Sequence, residues 1–188
     1  VVGTVSGTSI SFGTVVTANN ALTSNPELVA DPHSSTHFAL YFRDGGNNDH
    51  ATVLILTRSG TGLSVGSEYT TGTGSVEYAQ IAYDPNTQWK ILLCYNASST
   101  AVKTMVGTIS YSGTLALISW SSESTVYSGR GDYIAVAFDP SSGGKFVMKF
   151  TDFTVVSGRG MAIMGQLAGS TTSTNVSASN FIGASDDV

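Results

Sequence analysis

Apolar residues along this chain come in short runs, each bounded by turn residues. Three such runs are Phe38-Ala39-Leu40-Tyr41-Phe42, Lys90-Ile91-Leu92-Leu93-Cys94-Tyr95 and Lys145-Phe146-Val147-Met148-Lys149-Phe150. β-Branched and aromatic side chains fill the runs, and Gly, Ser, Asn, Asp and Pro separate them, which is the pattern of strands joined by tight turns. No window of about 12 residues carries apolar positions at the helical period, so the pattern predicts an all-β chain with essentially no helix. Asp-Pro followed by polar residues marks one kind of turn. The Asp side chain accepts backbone amides two residues on, and Pro fixes φ at the first central position.

The runs repeat. Asp31-Pro32, Asp84-Pro85 and Asp139-Pro140 are 53 and 55 residues apart, and their flanks agree: Ile81-Ala82-Tyr83 precedes one, Val136-Ala137-Phe138 another. A second anchor, Val2-Gly3-Thr4-Val5-Ser6-Gly7-Thr8, returns as Val106-Gly107-Thr108-Ile109-Ser110. The anchors divide the chain into units of about 1–50, 51–101 and 102–159, with a partial fourth at 160–188. Within the first, strands are expected at 1–6, 9–17, 27–31 and 37–43. A four-stranded antiparallel unit recurring near every 50 residues is the signature of a propeller-like array, in which neighbouring sheets bury each other's faces. Three and a half units allow a small ring closed by pairing first and last strands, a share of a larger ring, or a ring completed between chains. The abrupt start and end read as a processed product or part of a longer polypeptide.

Composition sharpens this picture. Charged residues are only 11% of the 188, and the formal net charge is −5. Lys and Arg are few and never clustered, which argues against a nucleic-acid partner. The uncharged apolar stretches are strand-sized, too short for a membrane-spanning helix. One cysteine, Cys94, excludes a disulfide scaffold and reads as a small core residue in its apolar run.

The wording of the repeat carries a resemblance. The stretch from Val2 to Gly13, the Ile81-Ala82-Tyr83-Asp84-Pro85-Asn86-Thr87 turn and the Tyr41-Phe42-Arg43-Asp44-Gly45-Gly46-Asn47 loop resemble the building blocks of a repetitive β-propeller-like family. That family comprises virion structural and tail-fibre-like proteins of marine bacteriophages and related bacterial surface proteins. The segment 173–186 is similar to the one that closes the array there, ahead of a further small domain. Residues 96–99 and 151–153 depart from the Arg-Asp-Gly-Gly loop in the second and third units. The resemblance implies a virion or extracellular location and a role in attachment or fibre architecture, and it carries no catalytic motif.

Candidate chemistry is sparse. The most polar loop, Arg43 to His50, offers Arg43, Asp44, Asn47, Asn48 and Asp49, whose oxygens and amides suit sugar hydroxyls or a Ca²⁺ ion, although the full calcium-loop pattern is missing. Trp89, out of phase with the repeating strand aromatics, reads first as packing against a neighbouring sheet and second as stacking on a sugar ring. His33, His37 and His50 have no metal-ligand spacing. Arg130-Gly131-Asp132 spells an integrin-type tripeptide, and Asn96 and Asn175 open N-glycosylation patterns. The tripeptide reads as a chance match where a turn enters a strand, and the glycosylation patterns matter only on a eukaryotic secretory route, which the resemblance argues against. No catalytic set, metal site or cofactor is expected. The expected function is a non-enzymatic structural or adhesion module of a virion or extracellular fibre. Its expected partners are other fibre subunits, copies of itself and a surface glycan or receptor. A secreted lectin-like propeller is the alternative. A sialidase-like glycoside hydrolase stands behind both, because the four arginines, Arg43, Arg58, Arg130 and Arg159, are widely spread.

Overall fold

The computed structural model describes residues 1–71, 74–112, 115–155, 158–167 and 176–183, with backbone alone for 112, 115 and the last of these segments. Sixteen strands are present among them. A two-stranded sheet pairs β1 (Gly3–Ser6) with β2 (Ser9–Phe12). The first large sheet has the order β3 (Thr23–Ala30), β4 (His37–Asp44), β5 (His50–Ser59), with β6 (Gly62–Val65) and β7 (Tyr69–Thr71) sharing the far edge of β5. The second repeats it: β8 (Val76–Tyr83), β9 (Lys90–Ala97), β10 (Ala101–Ser112), with β11 (Leu115–Trp120) and β12 (Ser124–Tyr127) on the edge of β10. The third is β13 (Gly131–Phe138), β14 (Lys145–Asp152), β15 (Arg159–Leu167) and β16 (Val176–Gly183). All pairings are antiparallel. The helical content among the described residues is a single 3-10 turn, Gly45–Asn47, and no helix is long and apolar enough to cross a membrane.

The all-β reading and the four-position antiparallel sheets hold; the strand layout of the first unit does not. The strand expected at 9–17 ends at Phe12, and among the described residues the strands at 1–6 and 9–17 pair only with each other. They do not join 27–31 and 37–43: both edges of β4 are taken by β3 and β5, and among the described residues no strand pairs with the outer edge of β3. Register gives the reason. Gly13 N donates to Val2 O, Gly66 N to Ile55 O and Ser121 N to Val106 O. The β1–β2 hairpin is therefore the counterpart of the closing hairpins β5–β6 and β10–β11. The sheets accordingly run over 23–71, 76–127 and 131–183, out of phase with units 1–50, 51–101, 102–159 and 160–188. Of the closing segment 173–186, only the backbone of β16 belongs to the described residues.

Each sheet has two unlike faces. The front carries Phe38, Leu40 and Phe42 in the first, Ile91, Leu93 and Tyr95 in the second, and Phe146, Met148 and Phe150 in the third. The back carries the residues between them. The back of the first (Ala39, Tyr41, Val53, Ile55) packs on the front of the second, forming one core. The back of the second (Leu92, Cys94, Val102, Val106) packs on the front of the third, forming another. A middle sheet buried on both faces explains the unbroken run Ile91-Leu92-Leu93-Cys94-Tyr95, in which alternation has no polar side to show. Each buried Leu or Phe contributes roughly 1.5–3 kcal/mol. Gly107 and Gly165 hold equivalent places beside these fronts. A Cβ at Gly107 would lie 2.5 Å from Ile91, and one at Gly165 would lie 2.3 Å from Phe146.

The Asp-Pro turns are near copies. Asp31, Asp84 and Asp139 each accept a backbone amide two residues on, from His33, Asn86 and Ser141, at 2.8, 2.9 and 2.8 Å. Their own amides close the turns on His37 O, Lys90 O and Lys145 O. The turns also tie neighbouring sheets together. His33 Nε2 lies 3.3 Å from Asp84 O, and Asn86 Nδ2 donates to Asp139 O at 2.9 Å.

Candidate functional site

Strand direction divides the candidate residues between two ends of the molecule. Residues Arg43 to His50 join the end of β4 to the start of β5, while Trp89 stands at the start of β9, whose first residue corresponds to His37. An eight-residue strand is about 26 Å long. Trp89 and the loop therefore cannot both contact one small sugar.

The loop engages most of its own polar groups, although Arg43 Nε is buried without a hydrogen-bond partner among the described residues. Asp44 is buried, and its Oδ1 accepts Gly46 N at 2.9 Å, capping the 3-10 turn. Arg43 pairs with Asp49 at 2.7 Å. Asn47 Nδ2 donates to Thr70 Oγ1 at 3.0 Å, and Asn48 and Asp49 hold left-handed backbone. Asp44 thus spends one oxygen on a backbone amide and Asp49 faces a guanidinium, which disfavours a cation between them. Among the described residues no three His, Cys, Asp or Glu side chains are grouped to hold a metal. Trp89 is exposed and also left-handed, at φ 65°.

Other sequence candidates resolve into packing. Asn96 is fully buried, and its Nδ2 donates to Asp132 Oδ1 at 2.7 Å, so it is closed to glycosylation in the folded chain. Asn175 lies outside the described residues. Arg130 Nε donates to Asp132 Oδ2 at 2.9 Å, and Asp132 is buried, so the Arg-Gly-Asp tripeptide does not present its carboxylate. His37 stacks on Tyr111 with centroids 4.4 Å apart, and its Nδ1 lies 2.9 Å from Ser34 Oγ. That pairing resembles a nucleophile and its base. However, the same Oγ accepts the amides of Thr36 and His37 at 3.2 Å each, which makes it a turn-forming hydroxyl.

A different surface gathers chemistry from all three sheets. β3, β8 and β13 each slip register near their starts, between Ser24 and Glu27, Val76 and Ala79, and Asp132 and Ala135. Bulges re-aim side chains, and here they open a groove of about 240 Å³ lined by Asn25, Pro26, Glu27, Tyr78, Ala79, Tyr133 and Ile134. Tyr78 and Tyr133 lie 5.0 Å apart, Tyr133 and Phe153 6.1 Å, and the Arg130 guanidinium stands 5.7 Å above Phe153. Tyr133 is more than half exposed and sits at φ 52°, a conformation that bulky residues avoid. Asn25, at the equivalent place in β3, shares that φ. Asn25 Nδ2 donates to Glu77 O at 2.8 Å, and Gln80 Nε2 donates to Glu27 Oε2 at 2.6 Å, which fixes the polar wall. Burial, then the Tyr133 hydroxyl and Asp132, push the Tyr78 phenol above its ordinary value, so it remains a neutral donor.

An aromatic row that is half-buried at Tyr78 and exposed at Tyr133 and Phe153, beside a carboxylate and a carboxamide, can stack on an apolar sugar face while hydrogen-bonding its hydroxyls. Tyr78, Tyr133 and Phe153 are not among the candidates singled out from the sequence. The available signal was Tyr78 and Tyr133, 55 residues apart and each two positions into a first strand. The chain matches no protein-family model, no curated protein and no solved structure.

Proposed function

We propose that this chain is a non-enzymatic structural and adhesion module of a virion or other extracellular fibre, built as a propeller-like array and attaching to surface glycans through the groove between β3, β8 and β13. The observation that carries the reading is the pair Tyr78–Tyr133, which lines the groove with Asn25 and Glu27 and is extended outside it by Phe153. The propeller-like arrangement is supported by the back-on-front order of the sheets and by contact between successive first strands, β3 with β8 and β8 with β13. First strands adjoin in this way when sheets are set radially about an axis.

The lectin alternative differs in expecting one pocket per repeat. Against it, the position filled by Tyr78 and Tyr133 is Asn25 in the first sheet, so the aromatic wall forms once. A sialidase-like reading needs converging arginines. Here Arg43, Arg130 and Arg159 bind Asp49, Asp132 and Asp152 respectively, and Arg58 donates to Gly60 O and Ser35 O.

A glycan array probed with the wild-type chain and with Tyr133→Ala, Tyr78→Ala and the double variant Asp44→Ala/Asp49→Ala tests the reading. The tyrosine variants are expected to lose at least about tenfold in affinity for the glycans bound. The loop variant is expected to stay within about twofold. No glycan bound, loss confined to the loop variant, or release of reducing sugar from a bound glycan would each overturn it.

A further inference from the structure

The back-on-front contact occurs twice inside the chain, and apolar parts of its two surfaces recur exposed on the N-terminal hairpin and on the third sheet, where Lys149 takes the place of Tyr41 and Cys94 beside them. In the second sheet, Ile109 and Ile118 are buried and Trp120 is packed against the first core. Their counterparts in the N-terminal hairpin are Val5, Ile10 and Phe12, since Val5 pairs with Ile10 as Ile109 pairs with Ile118, and Gly3 with Phe12 as Gly107 with Trp120. These three are 71, 59 and 70% exposed. At the other end, Ala39 and Ile55 fill the back of the first sheet, and Leu92 and Val106 that of the second, all buried. Their counterparts on the third sheet, Val147 and Met164, are paired with each other and are 51 and 45% exposed. The front of the first sheet does not share this condition. Phe42, Leu54 and Leu56 are buried there, with Ala18, Phe38 and Leu40 packed against them.

The hairpin is amphipathic: Val5, Ile10 and Phe12 share one face, and Thr4, Ser6, Ser9 and Ser11 share the other. A lone two-stranded hairpin is marginal in water and needs a packed face to be stable. The missing cover is a surface this chain already makes.

We propose that the chain stacks head to tail on a second copy of itself, the back of the third sheet in one copy (Val147, Met164) seating on the front of the N-terminal hairpin in the next (Val5, Ile10, Phe12). The contact continues the interface that joins the first sheet to the second and the second to the third. Because the two surfaces differ, the association is heterologous and propagates into rings or filaments. It is independent of glycan binding.

The test is sedimentation velocity on the full chain across a micromolar-to-millimolar series, with two surface variants. Val147→Lys/Met164→Lys blocks the back, and Ile10→Lys/Phe12→Lys blocks the front. All four positions are exposed, so circular dichroism should be unchanged. The wild type is expected to grow beyond a dimer as concentration rises. Each variant alone is expected to remain monomeric, with association weakened at least about tenfold. Their mixture is expected to form one-to-one dimers and stop there, because each partner retains only one working surface. A wild type that stays monomeric overturns the proposal, as it would if another polypeptide were the natural cover. So do a blocked variant that still self-associates and a mixture that forms no dimer.

Discussion

Trp89 and Tyr133 hold the same kind of backbone for different ends. Both are bulky, exposed and left-handed. Trp89 O accepts Ile109 N in the turn, and in the third sheet the corresponding acceptor of Leu167 N is Gly144, which also has positive φ. Glycine does that work without a Cβ penalty, so Trp89→Gly is expected to raise stability by up to about 1 kcal/mol, read from urea midpoints. Tyr133→Gly should likewise leave the fold intact while abolishing glycan binding, which separates the ring's contribution from the backbone's. Cys94 sits at the opposite extreme. Complete burial in the second core pushes its thiol far above the ordinary value, leaving no reactive thiolate. A disulfide-exchange reagent is expected to leave the native chain unlabelled and to react with one thiol after unfolding. Prompt labelling would show that the second core opens.

At the scale of elements, the turns carry both local order and the link between sheets. Asn86 Nδ2 on Asp139 O crosses from the second sheet to the third, so Asn86→Ala is expected to cost about 1 kcal/mol, with the melting temperature as readout. At the other end of β14, Asp152 accepts from Thr154 N, Thr154 Oγ1 and Arg159 Nη2. Burial opposes its ionisation, but these donors prevail and hold its carboxyl at about 2, below the usual 3.8. A depressed carboxyl stabilises the fold fully above its unfolded value. That contribution is lost as pH falls from about 4 toward 2. Urea midpoints followed down this range should decline in the wild type and decline less in Asp152→Asn.

For the whole molecule, the hairpin and the three large sheets are separable. Among the described residues β1 and β2 pair only with each other, and their side chains are exposed. Deleting residues 1–12 is therefore expected to leave the melting temperature of the sheets within about 2 °C, by differential scanning calorimetry at a concentration where the wild type is monomeric. A large fall would mean that the hairpin braces the first sheet. The groove is a property of this scale as well. Asn25, Tyr78 and Tyr133 become neighbours only because three bulges at equivalent places face one another across stacked sheets.

Strand type, turn positions and the repeat were legible from residues alone, because each depends on nearest neighbours: alternation, β-branching, and Asp-Pro chemistry within four residues. The period was also legible, since apolar positions and turns keep phase over the chain. Phase within the period was not, because adjacent hairpins look alike until one knows which strand occupies which edge; hydrogen bonding along both edges of β4 settled that. The same distinction separates the candidate residues. Asp44, Asn96 and Asp132 look like free polar groups in one dimension, and burial converts them into partners of the backbone or of each other. Tyr78 and Tyr133 look like core aromatics, and a register slip of the first strands turns them outward into one wall. Sequence thus determined a repeating, weakly charged β-scaffold, while long-range packing decided which of its few polar and aromatic groups stand together at the surface.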